Sequence, residues 1–334
     1  MKVLITGGAG FIGSNFVHHW ITEHPEDKVV NLDVLTYAGH LENLKDVENN
    51  PNYSFVKGDI TDATVVDEVM KGVDLVVHFA AESHVDRSIL DPMTFVRTNV
   101  LGTGLLLDAA RRNKVSRYHH VSTDEVFGQL TLDEPSFNEK SPIKPRMPYS
   151  ASKASSDLLT FSYGSAYGLP VTVSNCSNNY GPYQDPEKLI PRFITNLIEG
   201  KKLPLMGNGE NIRDWLHVKD HCRAIDFIIH KGTIGERYCI GGNEEHTNKQ
   251  ITEIILKHFG KDDSWIEKDE HRLGHDLRYS IDASKLMNMG WDLSYTFEKG
   301  IDETINWYKD NTWWWQPLKQ GRPNVDAAVQ RTAA

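Results

Sequence analysis

The fold class predicted by the sequence is α/β: a doubly wound parallel sheet carrying a smaller mixed α/β lobe. Three observations predict it. A short apolar strand at the N-terminus runs directly into a glycine-rich turn and then a helix. Apolar strand-like and amphipathic helix-like segments alternate through the first half of the chain. The second strand ends in an aspartate, Asp33, 20 residues beyond the last glycine of that turn. At 334 residues the chain is long enough for one large or two smaller domains. We read residues 1–180 as the main part of a Rossmann-type domain. Residues 181–320 read mainly as a substrate-binding domain, with some segments returning to the first, and 321–334 as a mobile polar tail.

The elements follow in order. Val3-Leu4-Ile5 is an apolar strand running into Thr6-Gly7-Gly8-Ala9-Gly10-Phe11-Ile12-Gly13, with helix-like residues from Ser14 to Thr22. Glycines at 7, 10 and 13 allow a tight turn, close approach of backbone amides to a pyrophosphate and close helix–strand packing. The helix N-terminus adds free N–H groups and a positive dipole end. The strand from Val29 to Leu32 ends at Asp33, placed to accept from the adenine ribose hydroxyls. A carboxylate there would repel a 2′-phosphate, which favours NAD over NADP. A glycine turn in a generic α/β protein explains the glycines but not Asp33.

Tyr53 to Lys57 is the next strand, ending at Gly58-Asp59-Ile60, with Asp62 as the cap of the following helix. Leu75 to Phe79 ends at Ala80-Ala81-Glu82-Ser83; Pro92 to Lys114 reads as a long helix and Tyr118 to Ser122 as a strand. Ligands of open parallel sheets bind outside the carboxyl ends of the strands. Gly7, Asp33, Asp59, Ala80 and Thr123 all fall at such ends, so they share one crevice, with Asp59 near the adenine.

In that crevice the chemistry centres on two stretches. Thr123-Asp124-Glu125 offers a hydroxyl and two carboxyl groups directly after a strand. Tyr149 and Lys153 lie four apart in a helical run, Tyr149 to Tyr167, and so share a face, with Cβ atoms roughly 5–6 Å apart. A lysine cation one turn away favours the phenolate of a group whose reference pKa is about 10. Adjacent residues on a continuing strand point to opposite faces, so the strand must end before Asp124 if both carboxyls are to converge.

The alternation fades after the strand Val171 to Ser174. Asn178-Asn179-Tyr180-Gly181-Pro182 reads as a binding loop whose amides suit sugar hydroxyls. Helices are expected at Leu189 to Glu199, Asp220 to Lys231, Asn248 to Phe259 and Phe297 to Asp310, with short strands at Leu203 to Met206 and Arg213 to Val218. Lys188, Arg213, Arg272 and Arg278 are candidate diphosphate-holding cations, since guanidinium groups bind phosphate oxygens bidentately. His275, beside Gly274, joins them. Trp313-Trp314-Trp315 reads as a C-terminal docking anchor.

Composition excludes several classes. The net charge of −10 argues against general nucleic-acid or anionic-membrane binding. No apolar run approaches the ~20 residues that span a bilayer, and the chain starts at once with a strand rather than a signal peptide. Three widely spaced cysteines, Cys176, Cys222 and Cys239, form neither a metal-ligand spacing nor a disulfide framework, as suits a cytoplasmic protein. No metal is expected.

On these residues the chain resembles the extended short-chain dehydrogenase/reductase superfamily over nearly its whole length, and within it the dTDP-glucose 4,6-dehydratases. Gly7-x-x-Gly10-x-x-Gly13, Asp33 and Tyr149-x-x-x-Lys153 carry the general likeness. Leu35-Thr36-Tyr37-Ala38-Gly39, Ala80 to Ser88, Ser122 to Gly128, Asn178 to Pro182, Glu187 to Pro191 and Ile212-Arg213-Asp214-Trp215 carry the specific one. One departure is visible: the family usually has Arg-Pro-Gly-His where this chain has Arg272-Leu273-Gly274-His275. The resemblance implies that NAD is contacted by Gly7, Gly10, Phe11, Ile12, Gly13, Asp33, Val34, Leu35, Thr36, Asp59, Ile60, Ala80, Ala81, Thr98, Tyr149, Lys153 and Asn179. It implies nucleotide-sugar contacts from Ser83, Thr123, Asn178, Lys188, Leu189, Pro204, Leu205, Met206, Arg213, Asn248, Arg272 and His275. Tyr149 would take the proton of the sugar C4 hydroxyl, Glu125 the C5 proton, and Asp124 would protonate the departing C6 hydroxyl. Thr123 and Lys153 would support them. The helices Pro92 to Lys114 and Tyr149 to Tyr167 resemble the pair that forms a four-helix dimer interface.

Other readings share much of this. A UDP-glucose 4,6-dehydratase differs only at the base. A nucleotide-sugar 4-epimerase needs no C5 base, so the carboxyl pair counts against it. A non-catalytic NAD-binding protein has no use for Tyr149, Lys153, Asp124 and Glu125 together.

Overall fold

The computed structural model describes residues 1–269 and 276–320. Arg272, His275 and the expected tail lie outside the described residues. In chain order the first half runs β1 (Lys2–Thr6), α1 (Phe11–Glu23), β2 (Lys28–Asp33), β3 (Tyr53–Lys57), α2 (Ala63–Val69), β4 (Leu75–His78), α3 (Val85–Leu90), α4 (Pro92–Phe95), α5 (Thr103–Arg112), β5 (Arg117–Thr123), α6 (Pro148–Tyr167), β6 (Val171–Cys176) and β7 (Asn178–Tyr180). The remainder runs α7 (Leu189–Ile198), β8 (Leu203–Met206), β9 (Ile212–His217), α8 (Val218–Lys231), β10 (Arg237–Ile240), β11 (Glu245–Thr247), α9 (Asn248–His258), β12 (Ile266–Asp269), α10 (Ser284–Asn288), α11 (Phe297–Asp310) and α12 (Thr312–Lys319).

Seven strands form one parallel sheet in the order β10-β6-β5-β4-β1-β2-β3. This is the doubly wound sheet expected, with its order reversing beside β1. Central strands covered on both faces read as continuous apolar runs, and β4 and β6 are buried at every position. One face packs Val3, Ile5, Phe16, Val17 and Trp20 against Ile225 and Ile228 of α8. The other packs Leu4, Val76 and Tyr118 against Leu106, Leu107 and Ala110 of α5. α8 and β10, from the later part of the chain, thus complete the layer built by the first half.

The helix expected over 92–114 is continuous but not uniform: α4 passes through a π-helical stretch, Val96–Gly102, into α5. That widened segment carries Asn99, whose amide holds the loop after β4. Asn99 Nδ2 donates to Glu82 O at 2.9 Å and to Ser152 Oγ at 2.8 Å, and Asn99 Oδ1 accepts from Glu82 N at 2.9 Å. Such widened turns cluster at functional sites. Asp62 caps α2 as expected, accepting from Thr64 N at 2.9 Å.

The later elements form two small sheets, β11-β9-β7 and β12-β8. Their core joins Tyr180, Phe193, Ile194, Trp215, Ile251 and Phe297 to Trp314 and Trp315. Trp314 Nε1 donates to Asn43 Oδ1 at 2.7 Å, so the tryptophan run ties the chain end back to the first half, while Trp313 stays exposed. Among the described residues no helix is long and apolar enough to cross a membrane.

Candidate active site

The carboxyl ends of β1, β2, β3, β4 and β5 open into one crevice of about 530 Å³, closed on its far side by the segment from Cys176 to Lys188. At its base the glycine turn is packed without spare room. A side chain at Gly13 would put Cβ 2.2 Å from Gly7 O, and one at Gly7, which has φ +73°, would meet Ala80 N at 2.5 Å. No side chain caps the start of α1, so its first amides face the crevice mouth. Asp33 accepts from Ala9 N at 3.0 Å and Leu35 N at 2.8 Å. Burial raises its pKa against the pull of those amides. The turn that follows wraps the carboxylate closely: Leu35 has φ +58°, and a Cβ on Gly39 would lie 2.8 Å from Asp33 Oδ1.

β5 ends at Thr123, and Asp124–Phe127 turn away as a single 3₁₀ turn. Thr123 Oγ1 caps that turn by accepting from Glu125 N at 3.3 Å and also lies 3.2 Å from Asp124 Oδ1. This break in the strand resolves the geometric condition stated above: both carboxyl side chains border the crevice. Their electrostatics differ. Burial, then the neighbouring Glu125 and Asp214, push the Asp124 carboxyl well above the ordinary range. Burial raises Glu125 to about 7, with Lys188 and Arg213 holding it down. Burial thus raises both carboxyls, with different neighbouring charges acting on each, as suits a pair that gives and takes protons. Asp124 Oδ2 and Asn178 Oδ1 are buried without a hydrogen-bond partner in the protein.

Tyr149 and Lys153, both buried on α6, line the same wall. Here one expectation needs correction. The phenol is not drawn down by the lysine; burial, Glu125, Cys176 and Asp124 hold it well above its usual value, opposed by a hydrogen bond with Thr123. Lys153 Nζ instead donates to Val121 O at 2.8 Å and lies 3.4 Å from His120 Nε2, and burial lowers it to about 8. Behind it a buried chain continues. His120 Nε2 is 3.4 Å from Asp157 Oδ1, and Arg237 Nη1 donates to Asp157 Oδ2 at 2.8 Å. Asn175 Nδ2 donates to Asp157 at 3.2 Å and to Thr123 O at 2.9 Å, which fixes the end of β5.

Of the residues expected at the cofactor, all but Leu35 line the crevice; Leu35 packs into the core beneath it. Of those expected at the substrate, Ser83, Thr123, Asn178 and Lys188 line it. Leu189, Pro204, Leu205, Met206, Arg213 and Asn248 are not part of its wall. Arg213 lies just behind: its Nη1 donates to Ile212 O at 2.7 Å, its Nη2 to Asp276 O at 3.0 Å, and its guanidinium sits over the Tyr279 ring at 4.5 Å. Arg278 is used structurally, paired with Glu245 at 2.6 and 2.8 Å and donating to Glu134 O at 2.7 Å. Sequence reasoning missed Arg97 on the crevice wall, one position before the expected Thr98, and the rim contact in which Arg87 lies over the Tyr37 ring at 3.9 Å. It also missed Asn99 and Asn175. Asn99 lies within a segment read as regular helix and Asn175 directly after one read as strand, and their amides act across the fold.

Comparison with known proteins places these features in context. A family model described as GDP-mannose 4,6 dehydratase matches residues 4–304. A dTDP-glucose 4,6-dehydratase from Streptomyces antibioticus is 50% identical over 337 residues, covering 99% of each chain. One from Mycobacterium tuberculosis is 49% identical over 322 residues, covering 96% of each. Among solved structures, a dTDP-glucose 4,6-dehydratase from Streptomyces venezuelae with NAD bound superposes with TM-score 0.93 at 50% identity, covering 96% of this chain and 100% of that one. A UDP-glucose 4-epimerase from Thermotoga maritima superposes with TM-score 0.87 at 28% identity, covering 93% and 100%.

Proposed function

The chain belongs to the family of the dTDP-glucose 4,6-dehydratases, and from that premise we propose that it converts dTDP-glucose to dTDP-4-keto-6-deoxyglucose with NAD as its resident cofactor. The observation that carries the reading is the carboxyl pair at 124 and 125, both raised by burial and bordering the same crevice as Tyr149. An epimerase needs no such pair.

The residues present fit NAD. The glycine turn packs so closely on the strand and on Ala80 that no Cβ is accommodated at Gly7 or Gly13, and the uncapped start of α1 offers amides to a pyrophosphate. Asp33 retains lone pairs for ribose hydroxyls. NAD, when bound, supplies the acceptor that takes hydride from the sugar C4 and returns it at C6. Tyr149, hydrogen-bonded with Thr123, would take the proton of the C4 hydroxyl as a phenolate, a form that burial and the neighbouring carboxyls oppose and that the positive charge of bound oxidised NAD would favour. The ketone at C4 makes the C5 proton removable; Glu125, raised to about 7, would remove it and, once C6 has received hydride, return a proton to C5. Asp124, whose protonated form burial favours, gives a proton to the C6 hydroxyl as water leaves. Ser83, Thr123 and Asn178 hold the sugar. Lys188 on the crevice wall is proposed to hold the diphosphate, with Arg213, Leu189, Pro204, Leu205, Met206, Asn248, Arg272 and His275 proposed further along the nucleotide.

Incubating the protein with dTDP-glucose tests the reading: a product lighter by one water supports it, and an isomeric product points to an epimerase. Deuterium placed at C4 is expected to reappear at C6; its loss to solvent would count against hydride return. The same kinetics run with UDP-glucose decide the base preference.

A pH profile tests the base separately. Since kcat/KM reports the free enzyme, its acid limb is expected near pH 7, where Glu125 gains its proton. Lys188 favours the carboxylate, so Lys188→Met is expected to move that limb to higher pH as well as to raise KM. A limb that stays in place would assign it to another group.

The exposed apolar side chains Met93, Val96, Leu101, Leu158 and Tyr167 lie along the helices 92–112 and α6. They support a homodimer formed through a four-helix bundle, which sedimentation of the purified protein would test. Three buried cysteines without disulfides suit a cytoplasmic enzyme.

A further inference from the structure

We propose that His24, Asp226 and His230 form a binding site for one divalent transition-metal ion, of the zinc class, which clips α1 to α8 away from the active site. The donor set is two imidazole nitrogens and a carboxylate oxygen, all within 4.8 Å of one another. His24 Nε2 is 3.1 Å from both oxygens of Asp226, and His230 Nδ1 is 2.9 Å from Asp226 Oδ1. Ligands bound at about 2.0–2.2 Å to a tetrahedral zinc stand about 3.3 Å apart. Both carboxylate–imidazole separations are within about half an ångström of that spacing, and the two imidazole nitrogens, no more than 4.8 Å apart, close by up to about 1.5 Å when the ion binds. Nitrogen and carboxylate ligands are those zinc accepts, and three protein ligands leave a fourth position for water.

The surroundings resemble a built site. His19 Nε2 lies 2.8 Å from Asp226 Oδ2, the oxygen that a metal on Oδ1 would leave free, and so orients the carboxylate from behind. The His24 ring stacks on His230 at 5.1 Å and packs against Trp20 at 4.2 Å, which fixes both imidazole planes. Asp226 and His230 are four apart on α8, the spacing that puts two ligands on one helix face. His24 is the residue that ends α1. His230 Nδ1 also lies 3.0 Å from Asp226 O, a hydrogen bond it gives up when it ligates. Side-chain exposures of 16% for Asp226, 25% for His24 and 41% for His230 leave the ion an entry path. Hydrogen bonding alone is the competing account, since three imidazole nitrogens converging on one carboxylate is unusual but satisfiable.

The site lies at the opposite end of α1 from the glycine turn. A helix of 13 residues puts about 20 Å between them. Occupancy is thus expected to act on stability and not on turnover. The test is calorimetric titration of the metal-free, full-length protein with Zn²⁺, alongside thermal melts. One ion per chain is expected, with a higher Tm. The double substitution His24→Asn/His230→Asn should abolish saturable binding, and His19→Asn should weaken it about tenfold. Both variants should keep wild-type dehydration rates, and the double variant should lose the rise in Tm that Zn²⁺ gives the wild type. Absence of saturable binding, or binding that survives the double substitution, would overturn the site.

Discussion

Glu125→Gln is expected to cut formation of the 4-keto-6-deoxy product about 10²–10⁴-fold while leaving oxidation at C4 intact. The substitution preserves the shape of the side chain and removes its capacity to accept a proton. The Tyr149 step does not use Glu125, and its energetics improve: Glu125 is the principal neighbouring charge that raises the phenol, and a neutral amide relieves that. The variant should therefore halt one step later than a Tyr149 variant does. In a single-turnover experiment the oxidised sugar and reduced nicotinamide should build up together on the enzyme, visible by absorbance, with no water lost. Product at the wild-type rate would remove Glu125 from the mechanism. An equal stall in Tyr149→Phe, with no reduced nicotinamide, separates the two roles.

The second large effect is on stability. Arg237→Met is expected to cost about 3–5 kcal/mol, because it leaves a buried carboxylate without its cation. Asp157 is fully buried and Arg237 nearly so, joined at 2.8 Å, and Arg237 also donates to Asn175 Oδ1. His120, the other neighbour, is lowered to about 4 by burial and Lys153 and so is neutral at pH 7. For a chain of this size the loss corresponds to a Tm lower by roughly 4–7 °C. Asp157→Asn/Arg237→Met should recover part of it, since contacting residues are not additive. The acid dependence has a definite sign. His120 and Arg237 hold the Asp157 carboxyl well below its ordinary value, against the effect of burial. Its stabilisation is present above about pH 4 and is lost as pH falls toward the folded value. Melts of wild type at pH 7 and in mild acid should show that loss, and the double variant should show less of it.

These two predictions also mark how far the sequence could be read. The glycine turn, Asp33 and the strand ends were legible because each is a local pattern with a fixed spacing. Tyr149 and Lys153 were legible for the same reason. What Lys153 leans on was not: Arg237 is 80 residues from Asp157 and His120 is 33 from Lys153, and no spacing rule connects them. Hence the expected pull of the lysine on the phenol was misjudged, although both residues were correctly brought to one wall. The break of β5 at Thr123 was stated as a requirement and appears as a threonine-capped 3₁₀ turn. Arg278 looked like a free cation because Glu245, its partner across 33 positions, is invisible to any local window. The wall of the crevice likewise omits Leu205, which is buried in β8, and Asn248, which opens α9.

The late arrival of α8 and β10 in the parallel sheet bears on how the molecule is made. When a nascent chain has emerged only as far as β6, that strand has an open edge and the α1 side of the sheet has a bare apolar face. Both invite mispairing until roughly 60 more residues, those from the end of β6 to the end of β10, leave the ribosome. Cutting the gene at the apparent midpoint should yield an N-terminal fragment that aggregates, whereas supplying the remainder as a second polypeptide should rescue it by strand complementation.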